Sequence, residues 1–164
     1  MDIFNSNRRL EELTMYALDW GLFLRHDMEG GIAPFLYLQN GNEKNIRVLM
    51  TDDDPLEFAK SILQKEEEPY DLFVIGFEGY LKDHKDNRVD AIIVQGFDIT
   101  EEKGVALGQK FSPKENGSFK KIDKIFFLGN PELIIPRKEN NNTNKTIEEI
   151  GFNAIALTDN NNLY

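Results

Sequence analysis

The chain has 164 residues, 40% of them apolar and 29% charged, which is the composition of one ordinary globular domain. Its formal net charge of −10 repels phosphate backbones and anionic membrane surfaces, so we expect no nucleic acid and no membrane as partners. The absence of cysteine excludes disulfides, thiolate nucleophiles and cysteine-based zinc sites, and two histidines cannot form an all-histidine metal site.

The N-terminus has no basic segment followed by an apolar run, so it does not resemble a secretory signal. No stretch approaches the roughly 20 apolar residues that cross a membrane. These features predict a cytoplasmic protein, and no motif predicts a cofactor. The acidic charge permits basic proteins or metal cations as partners.

The first predicted element is an amphipathic helix that ends at a Gly-Gly pair. Asn5 or Ser6 is its expected cap, because these side chains accept hydrogen bonds from the first turn. Two short strands, 33–38 and 46–50, follow on either side of a turn around Asn40-Gly41 and predict a hairpin with a long loop. The helix stripe comprises Leu10, Leu13, Ala17, Trp20 and Leu24, widened by Leu18 and Leu22.

A second helix is predicted directly after the hairpin. Asp54 is its expected N-cap, Pro55 fits the first helical position, and Glu57 lies three residues after the cap as in a capping box. The polar stretch 66–69 ends the helix. Its apolar stripe comprises Leu56, Ala59, Ile62 and Leu63.

The second half of the chain predicts four strands. Stretches 70–81 and 88–98 are apolar at both parities, so both faces of these strands are expected to be covered. The short polar linker between them predicts an antiparallel hairpin. Residues 105–111 alternate and predict a strand with one solvent-exposed face, and 124–128 predicts a further strand.

The C-terminal region differs from the rest in composition. Residues 138–146 are polar and rich in asparagine, which predicts a flexible link. The tail 147–164 is expected to dock partly onto the domain, with a short helix opening at 146–150 and a short strand at 153–157. Residues 1–137 then form a single domain.

The order of elements predicts an α+β fold. Strands follow one another without crossover helices, so the sheet should be mostly antiparallel, with about six strands in the order α-β-β-α-β-β-β-β plus a tail. We expect the two helices on one face of the sheet. The other face is then expected to be covered by the tail or by a second subunit.

The second half resembles a family of small bacterial proteins that share the pattern (D/E)GY…R.DA..V…Q+(F/Y)…GNP.L. The matching stretches are 70–81, 88–94, 109–111 and 128–133. Glu78 stands at a position where aspartate is commoner in that family. The family has no established activity, so the resemblance implies a bacterial origin and no particular chemistry.

One candidate polar cluster lies near the tip of the hairpin 70–98. Glu78, Tyr80, Arg88 and Asp90 have the same parity, so a connecting loop with an odd number of residues places all four on one face. Two carboxylates there could hold a divalent cation or divide acid and base roles. In the simpler interpretation, Arg88 bridges the acids and Tyr80 packs beside them. No catalytic or metal-binding residue is assigned.

The acidic run Asp52-Asp53-Asp54 is a second candidate for cation binding. A calcium loop alternates its ligands and ends in a glutamate about twelve positions after the first ligand, and neither feature is present. The run is therefore interpreted as a helix cap with solvated charge.

Two functions from different classes fit these observations. We favour a non-catalytic binding or protein-interaction protein, acting on a protein partner or by self-association. The alternative is a small divalent-cation-dependent enzyme using Glu78 and Asp90, which requires both carboxylates to converge in a cleft with no arginine neutralising them.

If the second face of the sheet is uncovered, its apolar side chains form an interaction-prone hydrophobic patch. The phenylalanines on the strands are Phe73, Phe77, Phe97, Phe111, Phe126 and Phe127.

Overall fold

A computed structural model describes residues 2–138, which form two α-helices and one open six-stranded sheet. The strand order is β2-β1-β3-β4-β5-β6, and all neighbours are antiparallel. This confirms the predicted α+β class and the order of elements. The elements are α1 (Arg8–Asp27), β1 (Phe35–Asn40), β2 (Glu43–Val48), α2 (Pro55–Lys65), β3 (Leu72–Lys82), β4 (Arg88–Asp98), β5 (Val105–Ser112), a 3-10 turn (Lys114–Asn116) and β6 (Lys120–Gly129).

The predicted link and tail lie almost wholly outside the described residues, since only Lys138 of the link is described. Among residues 2–138, no helix is both long enough and apolar enough to cross a membrane.

Helix α1 begins one or two residues later than predicted. The side chain of Asn7 accepts a hydrogen bond from the Leu10 N–H at 3.1 Å, so Asn7 is the cap. The predicted caps Asn5 and Ser6 instead lie in a left-handed turn, with φ of 53° and 65°. The Asp2 carboxylate closes this turn by accepting from the Ser6 N–H at 2.6 Å.

Helix α2 begins and ends as predicted. The Asp54 carboxylate accepts from the Leu56 N–H at 2.9 Å, and Pro55 occupies the first helical turn. Ala59 and Leu63 are buried. The other two residues of the predicted stripe are partly buried against the same core.

The hairpin of β1 and β2 is tighter than predicted. Its strands pair up to Asn40 and Glu43, which leaves a two-residue turn instead of a long loop. Gly41 has φ of +60° and supplies the positive φ that a two-residue turn needs at its first central position. Polar side chains in β2 obscured this pairing in the sequence because β2 is an edge strand with mostly exposed residues.

The two helices lie on opposite faces of the sheet, so the expectation that they share one face is wrong. Even-numbered residues of β3, such as Val74, pack in the core with α1, and odd-numbered residues, such as Phe73, pack in the core with α2. Successive side chains of a strand point to opposite faces, so these cores lie on opposite sides. We call the α1 side the first face and the α2 side the second face. A return segment, 130–138, adds Leu133, Ile134 and Ile135 to the second-face core.

Strand β5 is buried on both faces, which corrects the prediction of one solvent-exposed face. Residues 105–111 are all buried, and even Lys110 is only 4% exposed. Two second-face positions of β5, Ala106 and Gly108, carry small residues, so neighbouring side chains close over them. A Cβ placed on Gly108 would lie 2.9 Å from Cδ1 of Leu81 and 3.2 Å from Cδ1 of Leu128. Strand β6 is longer than predicted and mostly exposed.

Candidate functional site

The structure places the predicted polar cluster on one face but does not form it into one site. Five residues, 83–87, connect β3 and β4, and Tyr80 lies opposite Asp90. This odd loop puts Glu78, Tyr80, Arg88 and Asp90 all on the first face. Their side chains nevertheless contact different partners.

Glu78 is held by an arginine from α1 instead of by Arg88. The Nε of Arg25 donates to both carboxylate oxygens of Glu78 at 3.1 and 3.2 Å, and the Ile32 N–H donates to the same carboxylate at 3.2 Å. The Arg25 side chain is only 3% exposed. Arg25 therefore neutralises the charge of Glu78 inside the fold. A carboxylate that binds a cation must be free of such a pairing, and Glu78 is not.

A second carboxylate completes this arrangement. The terminal nitrogens of Arg25 donate to Glu115 at 3.1 and 2.9 Å, and the Gly30 N–H donates to the same carboxylate at 2.9 Å. The Arg25 hydrogen bond, followed by the Gly30 N–H, lowers the pKa of Glu115 to about 2. We call Arg25, Glu78 and Glu115 the Arg25 network. It ties the end of α1 to β3 and to the loop before β6.

The sequence contains a signal for this network that the parity argument does not use. Leu18, Leu22 and Arg25 follow one another at helical spacing, so a charged residue lies on the buried stripe of α1. A buried arginine requires carboxylate partners. The sequence therefore predicts that Arg25 forms a structural ion pair. It does not identify the carboxylates that pair with Arg25.

The remaining predicted residues lie apart from this network. Arg88 stacks over the Tyr80 ring, with its guanidinium carbon 3.9 Å from the ring centroid. Asp90 is half-buried and forms no ion pair among the described residues. Arg88 therefore does not bridge the two acids. In residues 2–138, no group of three or more His, Asp or Glu side chains is placed to hold a metal ion.

The acidic run before α2 is a cap with exposed neighbours. Asp54 caps the helix, while Asp52 and Asp53 are exposed. The Asp53 N–H donates to the Thr51 hydroxyl at 2.9 Å. These contacts agree with the interpretation of the run as helix cap and solvated charge.

A cleft of about 530 Å³ lies between the N-terminal segment, the start of β5 and the end of β6. Two of its acidic groups already have partners in the chain. The Asp2 carboxylate accepts from the N–H groups of Phe4 and Ser6, and Glu102 pairs with Arg137 at 3.6 Å. A ligand site usually offers a few convergent polar groups, and these contacts already occupy two of the carboxylates in this cleft.

An exposed aromatic surface lies on the other flank of α1, toward the edge strand β2. We call Tyr16, Trp20, Phe23, Ile46 and Val48 the α1–β2 surface. The three aromatic residues recur at spacings of four and three, so they share one side of the helix. Phe23 is 63% exposed, Val48 57% and Tyr16 51%. Trp20 stacks on Phe23 with ring centroids 5.9 Å apart.

Carboxylates alternate with the aromatic rings on this surface. Glu12 lies one turn before Tyr16, and Asp19 lies one turn before Phe23. Both are exposed, and neither forms an ion pair among the described residues. The Nζ of Lys44 lies 5.2 Å from the centroid of the Tyr16 ring. The surface is therefore apolar at its centre and acidic along its helix.

Trp20 carries a further feature of this surface. Its Nε1 is buried and has no hydrogen-bond partner among the described residues. An unsatisfied buried donor costs about 1–3 kcal/mol. Trp20 is expected in the buried stripe from the sequence, and in the structure it is only partly buried. Tyr16, Trp20 and Phe23 form a second apolar stripe on α1, beside the buried one. This spacing is the sequence pattern from which the exposed surface could have been predicted.

Gln109 and Asn130, two residues within the matching stretches quoted above, have structural roles in this chain. The Gln109 amide donates to the carbonyls of Ile122 and Asp123 at 3.0 and 3.2 Å, where β6 carries extra residues opposite β5. The Asn130 amide donates to the Gly104 carbonyl at 2.8 Å. These contacts hold the last strand and the return segment in place.

Comparisons with known proteins give no further guide: no family model, no curated protein and no solved structure matches this chain.

Proposed function

We propose that this chain is a non-catalytic protein-interaction module whose α1–β2 surface binds a partner segment carrying apolar and basic side chains. The observation that carries the proposal is the exposed aromatic row of α1 with unpaired carboxylates between its rings. Tyrosine, tryptophan and phenylalanine are enriched at the centres of protein interfaces, where they supply most of the binding energy. Exposed aromatic residues in contact with one another seldom serve the free protein.

The charge of the surface favours a basic partner. Glu12 and Asp19 lie beside the rings, and the whole chain has a net charge of −10. Such a field raises the association rate of a cationic segment and disfavours an anionic one. Lys44 over Tyr16 supports the same preference, because a partner cation can occupy an aromatic face in the same manner.

The shape of the surface suits a short amphipathic helix. The aromatic row runs from Tyr16 to Phe23, which is roughly 10 Å along the helix axis. That length corresponds to about two turns of a partner helix lying alongside α1. Ile46 and Val48 on the edge strand form the adjoining apolar floor. A partner carbonyl would satisfy the indole N–H if Trp20 turned outward on binding.

Intrinsic fluorescence gives a direct test, since Trp20 is the single tryptophan of the chain. The probes are an amphipathic helical peptide of leucine and lysine and its counterpart of leucine and glutamate. We expect the lysine peptide to shift the Trp20 emission in a saturable manner and the glutamate peptide to leave it unchanged. Equal binding of both peptides would contradict the proposed preference for basic partners.

Matched variants distinguish specific binding at the α1–β2 surface from non-specific hydrophobic binding. Phe23→Ser should weaken binding of the lysine peptide on the order of tenfold, whereas Tyr80→Ser removes a similarly exposed aromatic ring elsewhere and should not. Glu12→Lys combined with Asp19→Lys should also weaken binding. Asp53→Lys combined with Glu67→Lys makes the same change in net charge at a distance and serves as its control. Light scattering at several concentrations detects self-association, which would identify a second copy as the occupant instead.

A cation-dependent enzyme is not proposed, because no observation favours it. Its two predicted carboxylates have different surroundings: Glu78 is paired with Arg25, and Asp90 lies beside Tyr80 across the hairpin.

A further inference from the structure

Within residues 2–138, the second face of the sheet is covered mainly at one end. Helix α2 and the return segment cover the core around Phe73, Ile75 and Phe97. Farther along the strands, Phe77, Ile93, Gly108 and Phe126 lie opposite one another across β3, β4, β5 and β6. Phe77 packs partly against that core, whereas Ile93 and Phe126 belong to no buried core among residues 2–138.

This uncovered row and its neighbours form a continuous apolar area. We call Phe77, Leu81, Ile93, Phe126 and Leu128 the β6 patch. A Cβ placed on Gly108 would touch both Leu81 and Leu128, which shows that these two side chains meet over the glycine. Phe126 is 41% exposed and Leu128 39%. Adjacent exposed apolar side chains of this kind indicate a surface that another segment covers.

The β6 patch is basic at its border, in contrast to the acidic chain as a whole. Lys120 and Lys124 of β6 are exposed, whereas Lys121 lies opposite the first-face residue Phe111 and is not part of this border. Lys110 lies within the patch, with its Nζ 4.4 Å from the centroid of the Phe126 ring and 3.3 Å from the Asp123 carboxylate. An occupant of this patch should therefore carry apolar side chains together with acids.

The edge of β6 is unsuited to pairing with a strand of a second copy. The register between β5 and β6 shifts at two places, and Asp123 and Gly129 have positive φ values of 63° and 136°. Bulges and lysines on an edge strand obstruct edge-to-edge pairing. The occupant is thus expected to pack on side chains instead of extending the sheet.

We propose that residues 147–157 of the same chain cover the β6 patch. This stretch contains Ile147, Ile150, Phe152, Ile155 and Leu157, with Glu148 and Glu149 among them. Its composition thus combines the apolar side chains and the acids that the patch and its lysines require. The inference is independent of the proposed function, which concerns the opposite face.

The chain length permits this contact. The described part ends at Lys138, whose N–H donates to the Ile99 carbonyl at 2.8 Å, directly after β4. From Ile99 to Ile93 the distance along the strand is about 20 Å. Residues 139–146 span up to about 26 Å when extended, so they can bring residue 147 to the patch.

Paramagnetic relaxation in the full chain tests the contact. The sequence has no cysteine, so Asn153→Cys provides a single attachment point for a nitroxide label. We expect broadening of the amide signals of Ile93, Gly108 and Phe126 and none at Tyr16 or Val48. Broadening at the α1–β2 surface, or at no described residue, would overturn the inference.

Two further measurements make the test specific. Adding Phe152→Ser and Ile155→Ser to the labelled chain should abolish the broadening at the patch, and Leu163→Ser should preserve it. If labelled chains broaden the signals of unlabelled, isotope-enriched chains in a mixture, the occupant is a segment of a second copy and the inference fails. Neither outcome affects peptide binding at the α1–β2 surface. The two proposals can therefore be contradicted independently of each other.

Discussion

The two flanks of α1 on the first face differ in how they use their side chains. On one flank, the Arg25 network brings a buried arginine together with two carboxylates and two backbone N–H groups, all hydrogen-bonded. On the other flank, the α1–β2 surface leaves aromatic rings exposed, and its carboxylates form no ion pair within residues 2–138. The first flank stabilises the fold, and the second is the surface that we propose for a partner.

This difference shows why charge alone is a poor guide to function. Glu78 has the residue type of a metal ligand, but its lone pairs are occupied by Arg25 and Ile32. Tyr16 and Phe23 have the residue types of core residues, but they are exposed. Exposure of a side chain, and not its chemical reactivity, is therefore the basis on which we propose the α1–β2 surface as a binding site.

Removal of Arg25 should give the largest effect. Arg25→Ala leaves Glu78 without its cation in a partly buried position, so we expect the free energy of unfolding to fall by about 3–5 kcal/mol, measured by urea denaturation. Arg88→Ala removes an exposed stacking cation and should cost about 1 kcal/mol or less. Equal losses in the two variants would contradict the distinction between the network and the exposed hairpin tip.

The next largest effect on stability should distinguish the two acids of the predicted cluster, Glu78 and Asp90. Glu78→Ala removes acceptors for Arg25 and for the Ile32 N–H, and we expect a loss of about 1–3 kcal/mol in the free energy of unfolding. Asp90→Ala should stay within about 0.5 kcal/mol of the parent, since Asp90 has no ion pair among the described residues. A larger loss for Asp90→Ala would assign it a partner that the structure does not show.

The pH dependence of stability tests Glu115. Its pKa is lowered from 4.5 to about 2 in the folded chain, so its contribution is fully present above pH 4.5. The contribution is lost as the pH falls from there through about 2. We expect Glu115→Gln to lower the melting temperature at pH 6 and the difference from the parent to shrink toward pH 2. Glu67→Gln, an exposed acid elsewhere, is the control, and a difference independent of pH would contradict the assignment.

The smallest effect on stability should come from the α1–β2 surface. Phe23→Ser changes a side chain that is 63% exposed, so the free energy of unfolding should change by no more than about 0.5 kcal/mol. The same variant should lose most of its affinity for the lysine peptide. If thermal unfolding shows a large destabilisation, Phe23 has a packing role and its exposure does not indicate a binding surface.

Local signals in the sequence predict most of the fold. Asp54 and Pro55 mark the start of α2, and the apolar run at both parities in β3 and β4 predicts a sheet covered on two sides. The side on which α2 lies depends on how the chain crosses the sheet edge after β2, and no local pattern records this. The expectation of two helices on one face is wrong for that reason.

The candidate sites are less predictable because they depend on contacts distant in sequence. Parity places Glu78 and Asp90 on one face, but the partner of Glu78 lies 53 positions earlier in α1. Lys110 looks solvent-exposed from alternation, and its burial follows from Asp123 and Phe126 on the next strand. Such partners emerge only when the strands are assembled.

The most direct test of the central claim is a map of backbone amide shifts when the lysine peptide is added to the isotope-labelled full chain. We expect the shifts to concentrate at residues 12–23 and 44–48 and the signals of residues 78–90 to remain unchanged. Shifts concentrated around Glu78, Tyr80 and Asp90 would contradict it and would return the polar cluster of the hairpin to consideration as the functional site.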